Sequence, residues 1–167
     1  MPLNSYPVAR SFSLFTLVNF VVLSSKKTIE VNADIQRIWK AMVDPADVVQ
    51  WSYDVSEIMS DPQDYPTANK TYRWRFRHPF LKLTLYDTPT TIIPTKTYHS
   101  VGQLLFFTWD ETYELEAQSS KVLLSVELNL QTKLPIIGKF IDRFFMKWVV
   151  KEQVQQTLNR LAKFCER

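Results

Sequence analysis

Two acidic residues stand where the alternation of the sequence would place apolar side chains. Glu111 lies between Trp109 and Tyr113, and Asp87 continues a row of three leucines at alternate positions. Because successive side chains of a strand point to opposite faces, both carboxyl groups are predicted to lie on the apolar face of a sheet. Burial raises the pKa of a carboxyl group, and a general acid or base near neutral pH needs such a raised pKa.

Each of these groups has a structural alternative. A β-bulge would reverse the side-chain alternation and expose the carboxyl group to water. Asp87 is close to Pro89, where a strand tends to break, so Glu111 is the better candidate catalytic residue. His99 could line the mouth of a site at the sheet edge, although a lone histidine has many structural uses. One or two polar groups without a Ser-His-Asp or Cys-His set favour a binding protein over an enzyme.

Composition excludes several classes of site. The chain has two glycines, Gly102 and Gly138, too few for any glycine-rich phosphate-binding loop. The single Cys165 excludes an internal disulfide and a cysteine-based zinc site, and the two histidines are far apart in sequence. We therefore expect no cofactor and no metal. The net charge of +3 is too small to call for a nucleic acid partner.

The chain has the length and polarity of one globular domain. It contains 167 residues, of which 46% are hydrophobic and 22% charged. The aromatic content is high, with 11 Phe, 7 Tyr and 5 Trp. Aromatic side chains often line binding sites, but a bulky, filled core has the same composition.

The candidate residues lie within a regular order of predicted elements. A strand over residues 27–31 is followed by a helix after Asp34, with apolar residues at helical spacing. Pro45 ends that helix and begins a second one, for which Asp44 is the cap. Six strands are predicted next, over residues 55–60, 70–77, 81–93, 97–101, 105–115 and 122–130. Pro135 begins a last helix of roughly 30 residues that runs to the C-terminus.

This order resembles the helix-grip fold of the START-like superfamily, which includes polyketide cyclases/dehydratases and birch-pollen-allergen-like proteins. The opening of the chain is similar to that of family members in residues 28–33 (TIEVNA), at Ile38-Trp39, at Asp44-Pro45 and at Trp51. The final hairpin and the C-terminal sequence LAKFCE are similar to the family pattern as well. The likeness covers residues 25–167 and leaves residues 1–24 as an apolar N-terminal extension. It departs from the family pattern at Ser119-Ser120, where Gly-Thr is usual. The implied fold is α+β: a curved antiparallel sheet of about seven strands (β-α-α-β6-α) wrapped around a long C-terminal helix.

The resemblance also implies a pocket between the concave face of the sheet and the helix. The apolar positions of the strands and the last helix give the expected ligand-binding residues: Tyr72, Trp74, Phe76, Leu83, Leu85, Phe107, Trp109, Tyr113, Phe144 and Trp148. The expected function is binding or transport of a hydrophobic small molecule such as a lipid, a quinone or a polyketide-like compound. The alternative is a polyketide cyclase/dehydratase-type enzyme that acts in the same pocket, with Glu111 as its acid or base.

Two surface features concern location. A basic stripe is predicted on the last helix, where four cations are spaced four residues apart: Lys139, Arg143, Lys147 and Lys151. It suits an anionic membrane surface, or else it is a solvated face.

Residues 12–23 are mostly apolar and too short to span a bilayer as a helix. They predict a packed strand or helix or a mobile extension, with a signal peptide or membrane anchor as the alternative. The expected location is the cytoplasm, with membrane association or secretion as alternatives.

Overall fold

A computed structural model describes residues 21–132 and 143–167. It has a seven-stranded antiparallel sheet with the strand order β1-β7-β6-β5-β4-β3-β2. The strands are β1 (Val21–Val31), β2 (Val55–Ile58), β3 (Tyr72–Phe76), β4 (Thr84–Ile93), β5 (Thr97–Leu104), β6 (Phe107–Ala117) and β7 (Val122–Thr132). The described helices are α1 (Ile35–Val43), α2 (Pro45–Trp51) and α3 (Arg143–Cys165), with a 3-10 turn at Pro62–Asp64. The predicted helix-grip architecture is confirmed.

The two short helices begin and end where the capping residues require. The Asp34 carboxylate accepts a hydrogen bond from the Gln36 amide at 2.7 Å and so caps α1. Asp44 ends α1 and caps α2, accepting from the Ala46 amide at 2.9 Å, while Pro45 occupies the first turn of α2. This arrangement turns the chain sharply and places α2 beside β2 and α3.

The last helix packs across one side of the sheet. Its buried positions follow helical spacing and contact β1, β7 and the two short helices. Val154, Leu158 and Leu161 are at most 1% exposed, as are Val31, Leu124 and Val126 on the strands beneath them. This well-packed core lies at the β1–β7 side of the sheet, and it fixes the helix to one half of the concave face.

Several boundaries differ from the sequence-based ones. Strand β1 begins at Val21, so Val21–Ser24, assigned from the sequence to an N-terminal extension, pair with β7. Leu23 belongs to the core at 7% exposure. Strand β4 continues through Pro89, where the register with β5 shifts by one residue before Thr91. This shift absorbs the proline without ending the strand.

Part of the sequence-based interpretation lies outside the described residues. This applies to residues 1–20 and to the start of the last helix that was predicted at Pro135. Among the residues that are described, no helix is long and apolar enough to cross a bilayer.

Candidate functional site

A cavity of about 400 Å³ lies between the concave face of the sheet and the helices. The lining residues named below belong to the described part of the chain. Strands β2 to β7 supply one side, α3 supplies the opposite side, and α1, α2 and the loop after the 3-10 turn complete the wall. The volume lies within the range of about 300–1,000 Å³ that small-molecule sites occupy.

Most of the expected ligand-binding residues lie in the cavity wall. One sheet face carries six of them: Trp74, Phe76, Leu85, Phe107, Trp109 and Tyr113. Strict alternation along β3 and β6 brings them together, because every second side chain of a strand points to the same face. Phe144 lies in α3, but its side chain is outside the described residues.

Tyr72 and Leu83 lie outside the wall, which corrects two sequence-based assignments. Tyr72 is fully buried, and its hydroxyl donates to the Asp64 carbonyl at 2.5 Å and accepts from the Thr67 amide at 3.0 Å. It therefore anchors the loop around the 3-10 turn. Leu83 lies in the irregular segment before β4, which begins at Thr84. The side-chain alternation predicted for the row of leucines therefore applies to Leu85 but not to Leu83.

Trp148 is a further correction. It is 60% exposed and lies off the described wall of the cavity. The helix instead presents a neighbouring stripe to the cavity, which consists of Val149, Val150, Gln153 and Thr157. Because α3 is apolar over much of its first half, helical periodicity alone did not identify which stripe faces inward.

Gly102 makes room for the indole of Trp109. The two residues are directly opposite each other on β5 and β6. A Cβ atom at position 102 would lie 2.1 Å from Cε2 of Trp109, far inside van der Waals contact. The absence of a side chain on Gly102 therefore lets the indole lie across β5 and line the cavity.

Glu111 lies in the wall on β6, beside its hydrogen-bond donor Tyr113. The Tyr113 hydroxyl donates to Oε1 of Glu111 at 2.8 Å. Desolvation raises the pKa of Glu111 from 4.5 to about 7, and the nearby Asp54 and Asp87 carboxylates act in the same direction. The hydrogen bond from Tyr113 opposes this rise without cancelling it. Glu111 can therefore be neutral or ionised near physiological pH.

Asp87 faces the same cavity from β4. Burial raises its pKa from 3.8 to about 6, opposed by hydrogen bonds from the hydroxyls of Ser100, Tyr98 and Tyr65. The Tyr65 and Tyr98 hydroxyls are 2.7 Å apart, and the Tyr98 hydroxyl is 3.5 Å from Oδ2 of Asp87. The two tyrosines thus form a short hydroxyl chain that ends at the carboxylate.

A third carboxyl group, Asp54, was not identified from the sequence. It accepts a hydrogen bond from Nε2 of Gln153 on α3 at 2.7 Å and joins the sheet side of the cavity to the helix. Burial raises the pKa of Asp54, while Gln153, Arg160 and Arg77 oppose the rise. Asp54 lies in the irregular segment before β2, and Tyr65 lies in the irregular segment before β3. Because neither residue belongs to a strand, the alternation of the sequence could not predict which way its side chain points.

His99 does not line the cavity. Its Nδ1 is hydrogen bonded to the Thr90 hydroxyl, and its Nε2 is 3.9 Å from the Asp110 carboxylate on the other face of the sheet. The hydrogen-bond donor to Glu111 among the described residues is Tyr113 and not His99. The contacts of His99 agree with a structural role, which was the alternative interpretation of this histidine.

The basic stripe is only partly described. Lys147 and Lys151 are exposed and lie one turn apart on α3. Lys139 and the side chain of Arg143 lie outside the described residues. Contact of this stripe with an anionic membrane stays a prediction.

The fold is shared with solved structures of low sequence identity. A START superfamily protein from Mycobacterium smegmatis is 20% identical with a TM-score of 0.60, covering 86% of this chain and 94% of that one. The di-domain ARO/CYC StfQ from the steffimycin biosynthetic pathway is 12% identical with a TM-score of 0.67, covering 87% of this chain and 51% of that one. A Chromobacterium violaceum protein is 16% identical with a TM-score of 0.64, covering 86% of this chain and 97% of that one.

These similarities establish a START-like helix-grip fold, which both START and polyketide-cyclase-like proteins share. No protein-family model matches the sequence, and no curated protein is significantly similar to it.

Proposed function

We propose that this protein binds or carries a hydrophobic small molecule in the cavity between its sheet and α3. The observation that carries the proposal is the volume of about 400 Å³ bordered chiefly by aromatic and aliphatic side chains. Candidate ligands are a lipid, a quinone or a polyketide-like aromatic compound. The similarity of the fold to that of a START superfamily protein supports this function by analogy.

The shape of the wall favours a ligand with planar or ring-shaped parts. Trp74 and Phe76 on β3 and Phe107 and Trp109 on β6 lie on the same face of the sheet, with β4 and β5 between the two pairs. All four rings line the cavity. Flat aromatic surfaces contact flat ligands over a large area, and removal of this area from water provides the affinity. The polar groups fix orientation, as the few polar groups of other small-molecule sites do.

Binding of the neutral fluorescent probe N-phenyl-1-naphthylamine tests this proposal. We expect the full chain to bind one probe, and Gly102→Ala to weaken binding by about tenfold or more, a free-energy change of about 1.4 kcal/mol. The physical reason is that the new Cβ displaces the Trp109 indole into the cavity. Titrations would be followed by probe fluorescence, with circular dichroism as the check on folding.

Val101→Ala is the matched control, because Val101 is the neighbour of Gly102 on β5, outside the lining. Its affinity for the probe should equal that of the unmodified chain. Equal affinity in Gly102→Ala, or no saturable binding by the unmodified chain, would contradict the proposed cavity site.

A second candidate function is acid–base catalysis in the same cavity, of the cyclase or dehydratase type. The observation that favours it is the Glu111–Tyr113 pair, in which a carboxyl group with a pKa of about 7 accepts a 2.8 Å hydrogen bond. Such a group can both remove and return a proton near neutral pH. The bound substrate would have to present its proton within hydrogen-bond reach of Glu111.

Glu111→Gln separates the catalyst from the carrier. If Glu111 transfers protons, this change should leave probe binding intact and reduce dehydration of a 3-hydroxybutyryl thioester by roughly 100-fold or more. Formation of the conjugated enoyl product would be followed by absorbance. The enzymatic alternative would be contradicted if the unmodified protein dehydrated the thioester no faster than buffer alone does. Equal dehydration rates in the unmodified protein and Glu111→Gln would contradict it as well, and the carrier function would remain.

A further inference from the structure

We propose that the ligand of this cavity carries a positive charge: a hydrophobic amine or quaternary ammonium cation held by Glu111 and Asp87 among aromatic rings. This inference rests on the proposed function, because it names the chemical class of the hydrophobic ligand. It follows from the sign of the charges in the wall, the rings around them, and the hydrogen bonds that the carboxyl groups leave unmade.

The charges in the wall have one sign. Among the described residues that line the cavity, the ionisable acids are Asp54, Asp87 and Glu111, and no Lys, Arg or His is present. The Asp54 and Asp87 carboxylates disfavour ionisation of Glu111. An anionic ligand would add to this repulsion, whereas a cation would relieve it.

Aromatic rings surround the carboxyl groups. Tyr113 lies two residues beyond Glu111 on the same face of β6, and Trp109 lies two residues before it. Tyr65 is in edge-to-face contact with Trp74, with ring centroids 5.2 Å apart. The faces of such rings attract organic cations, and the attraction grows when the site is removed from water. A wall of carboxylates and rings matches an alkylated ammonium group better than it matches a neutral hydrocarbon.

The hydrogen bonds of Glu111 leave one oxygen for a ligand. Oε1 accepts from Tyr113, and no donor within the described residues contacts Oε2. No buried side-chain oxygen among the described residues lacks a hydrogen-bond partner, so Oε2 is accessible from the cavity. A bound ammonium or its N–H groups at this oxygen would stabilise the ionised form. Within the described part of the chain, no cluster of three or more His, Cys, Asp or Glu side chains could hold a metal ion. The geometry therefore suits an organic cation.

The binding of a cation should be coupled to release of a proton. Without a bound cation, Glu111 with a pKa of about 7 is largely protonated at pH 5.5 and largely ionised at pH 8. A permanent cation attracts the ionised form, so it should bind more tightly as pH rises. Several elements supply the titratable and charged groups around Glu111. The carboxyl groups are Asp54 before β2 and Asp87 on β4, and the arginines near Asp54 are Arg77 and Arg160. The tyrosines are Tyr65 after the 3-10 turn, Tyr98 on β5 and Tyr113 on β6.

Three probes of matched size test the inference by calorimetric titration of the full chain. They are a phenylbutyl trimethylammonium ion, its neutral tert-butyl isostere and a phenylalkyl carboxylate of the same length. At pH 8 we expect the cation to bind about tenfold or more tighter than the neutral isostere, and the carboxylate to bind weakest. The preference for the cation should shrink at pH 5.5, where Glu111 is neutral.

Two variants assign the preference to the cavity carboxyl groups. Glu111→Gln and Asp87→Asn should each reduce severalfold the ratio of the affinity for the cation to the affinity for the neutral isostere. Glu116→Gln is the matched control, because Glu116 lies on the same strand and is exposed outside the cavity. It should retain the full preference.

The outcomes separate the inference from the proposed function. Equal affinity for the cation and the neutral isostere, or tightest binding of the carboxylate, would overturn the inference and leave a hydrophobic-ligand carrier. A preference that persists in both cavity variants would also overturn it, because the cation would then bind elsewhere. Failure of all three probes to bind would instead contradict the proposed function itself.

Discussion

Glu111→Gln is expected to raise the free energy of unfolding by about 3 kcal/mol more at pH 8 than at pH 4.5. The pKa of Glu111 is raised from 4.5 to about 7 in the folded protein, and each pKa unit corresponds to about 1.4 kcal/mol. The folded state therefore holds a proton that the unfolded state has already released between these two values. Its contribution to stability is fully present below about pH 4.5 and is lost as pH rises through 7.

Glutamine removes this loss because it has no ionisable proton and keeps the shape of the protonated acid. Unfolding in urea at pH 4.5, 6 and 8, followed by tryptophan fluorescence, would measure the difference. Glu116→Gln is the control and should change the pH dependence little, since its side chain is exposed. An equal effect of Glu111→Gln at both pH values would show that Glu111 does not ionise within an enclosed site.

Asp87 should add to the pH dependence in the same direction. Its pKa is raised from 3.8 to about 6, so the stability that it contributes is lost over a lower range, from about pH 4 to 6. The unmodified protein should thus be most stable in mildly acidic solution. A bound cation should reduce this pH dependence, because it favours the ionised forms that burial disfavours.

The fold was predictable because its elements carry strong local signals. The caps Asp34 and Asp44 and the first-turn Pro45 marked the two short helices, and they function there as predicted. Alternation along β6 and β7 placed Trp109 and Leu130 on one face, where they pair directly. Such patterns reflect the geometry of each element and do not depend on distant contacts.

The site was predictable only where regular strands build it. Glu111 and Asp87 follow the alternation of their strands, and both line the cavity. Asp54 and Tyr65 lie in irregular segments, whose direction depends on tertiary contacts such as the hydrogen bond between Tyr65 and Tyr98. Trp148 was misassigned because several apolar stripes on α3 compete for the inward position, and only packing against β1 and β7 decides among them.

The central claim is that the space between sheet and helix holds a hydrophobic molecule, and filling that space tests it. Leu130 on β7 is paired with Trp109 on the neighbouring strand β6, and both side chains line the cavity. Leu130→Trp should therefore place a second indole inside the cavity. Leu123→Trp is the matched control, because Leu123 lies on the same strand at a position with the opposite facing, outside the lining. Both variants add the same atoms to one strand, but only the first reduces the cavity.

Native mass spectrometry of the full chain, as purified and after addition of N-phenyl-1-naphthylamine, is the direct measurement. We expect the unmodified chain and Leu123→Trp to carry one non-covalent small molecule that organic solvent releases. With the probe held well below its Kd, Leu130→Trp should lose about 90% of the bound fraction, because a tenfold weaker complex corresponds to about 1.4 kcal/mol of lost affinity. A bare chain under both conditions, or an equal adduct on Leu130→Trp, would contradict ligand binding in this cavity.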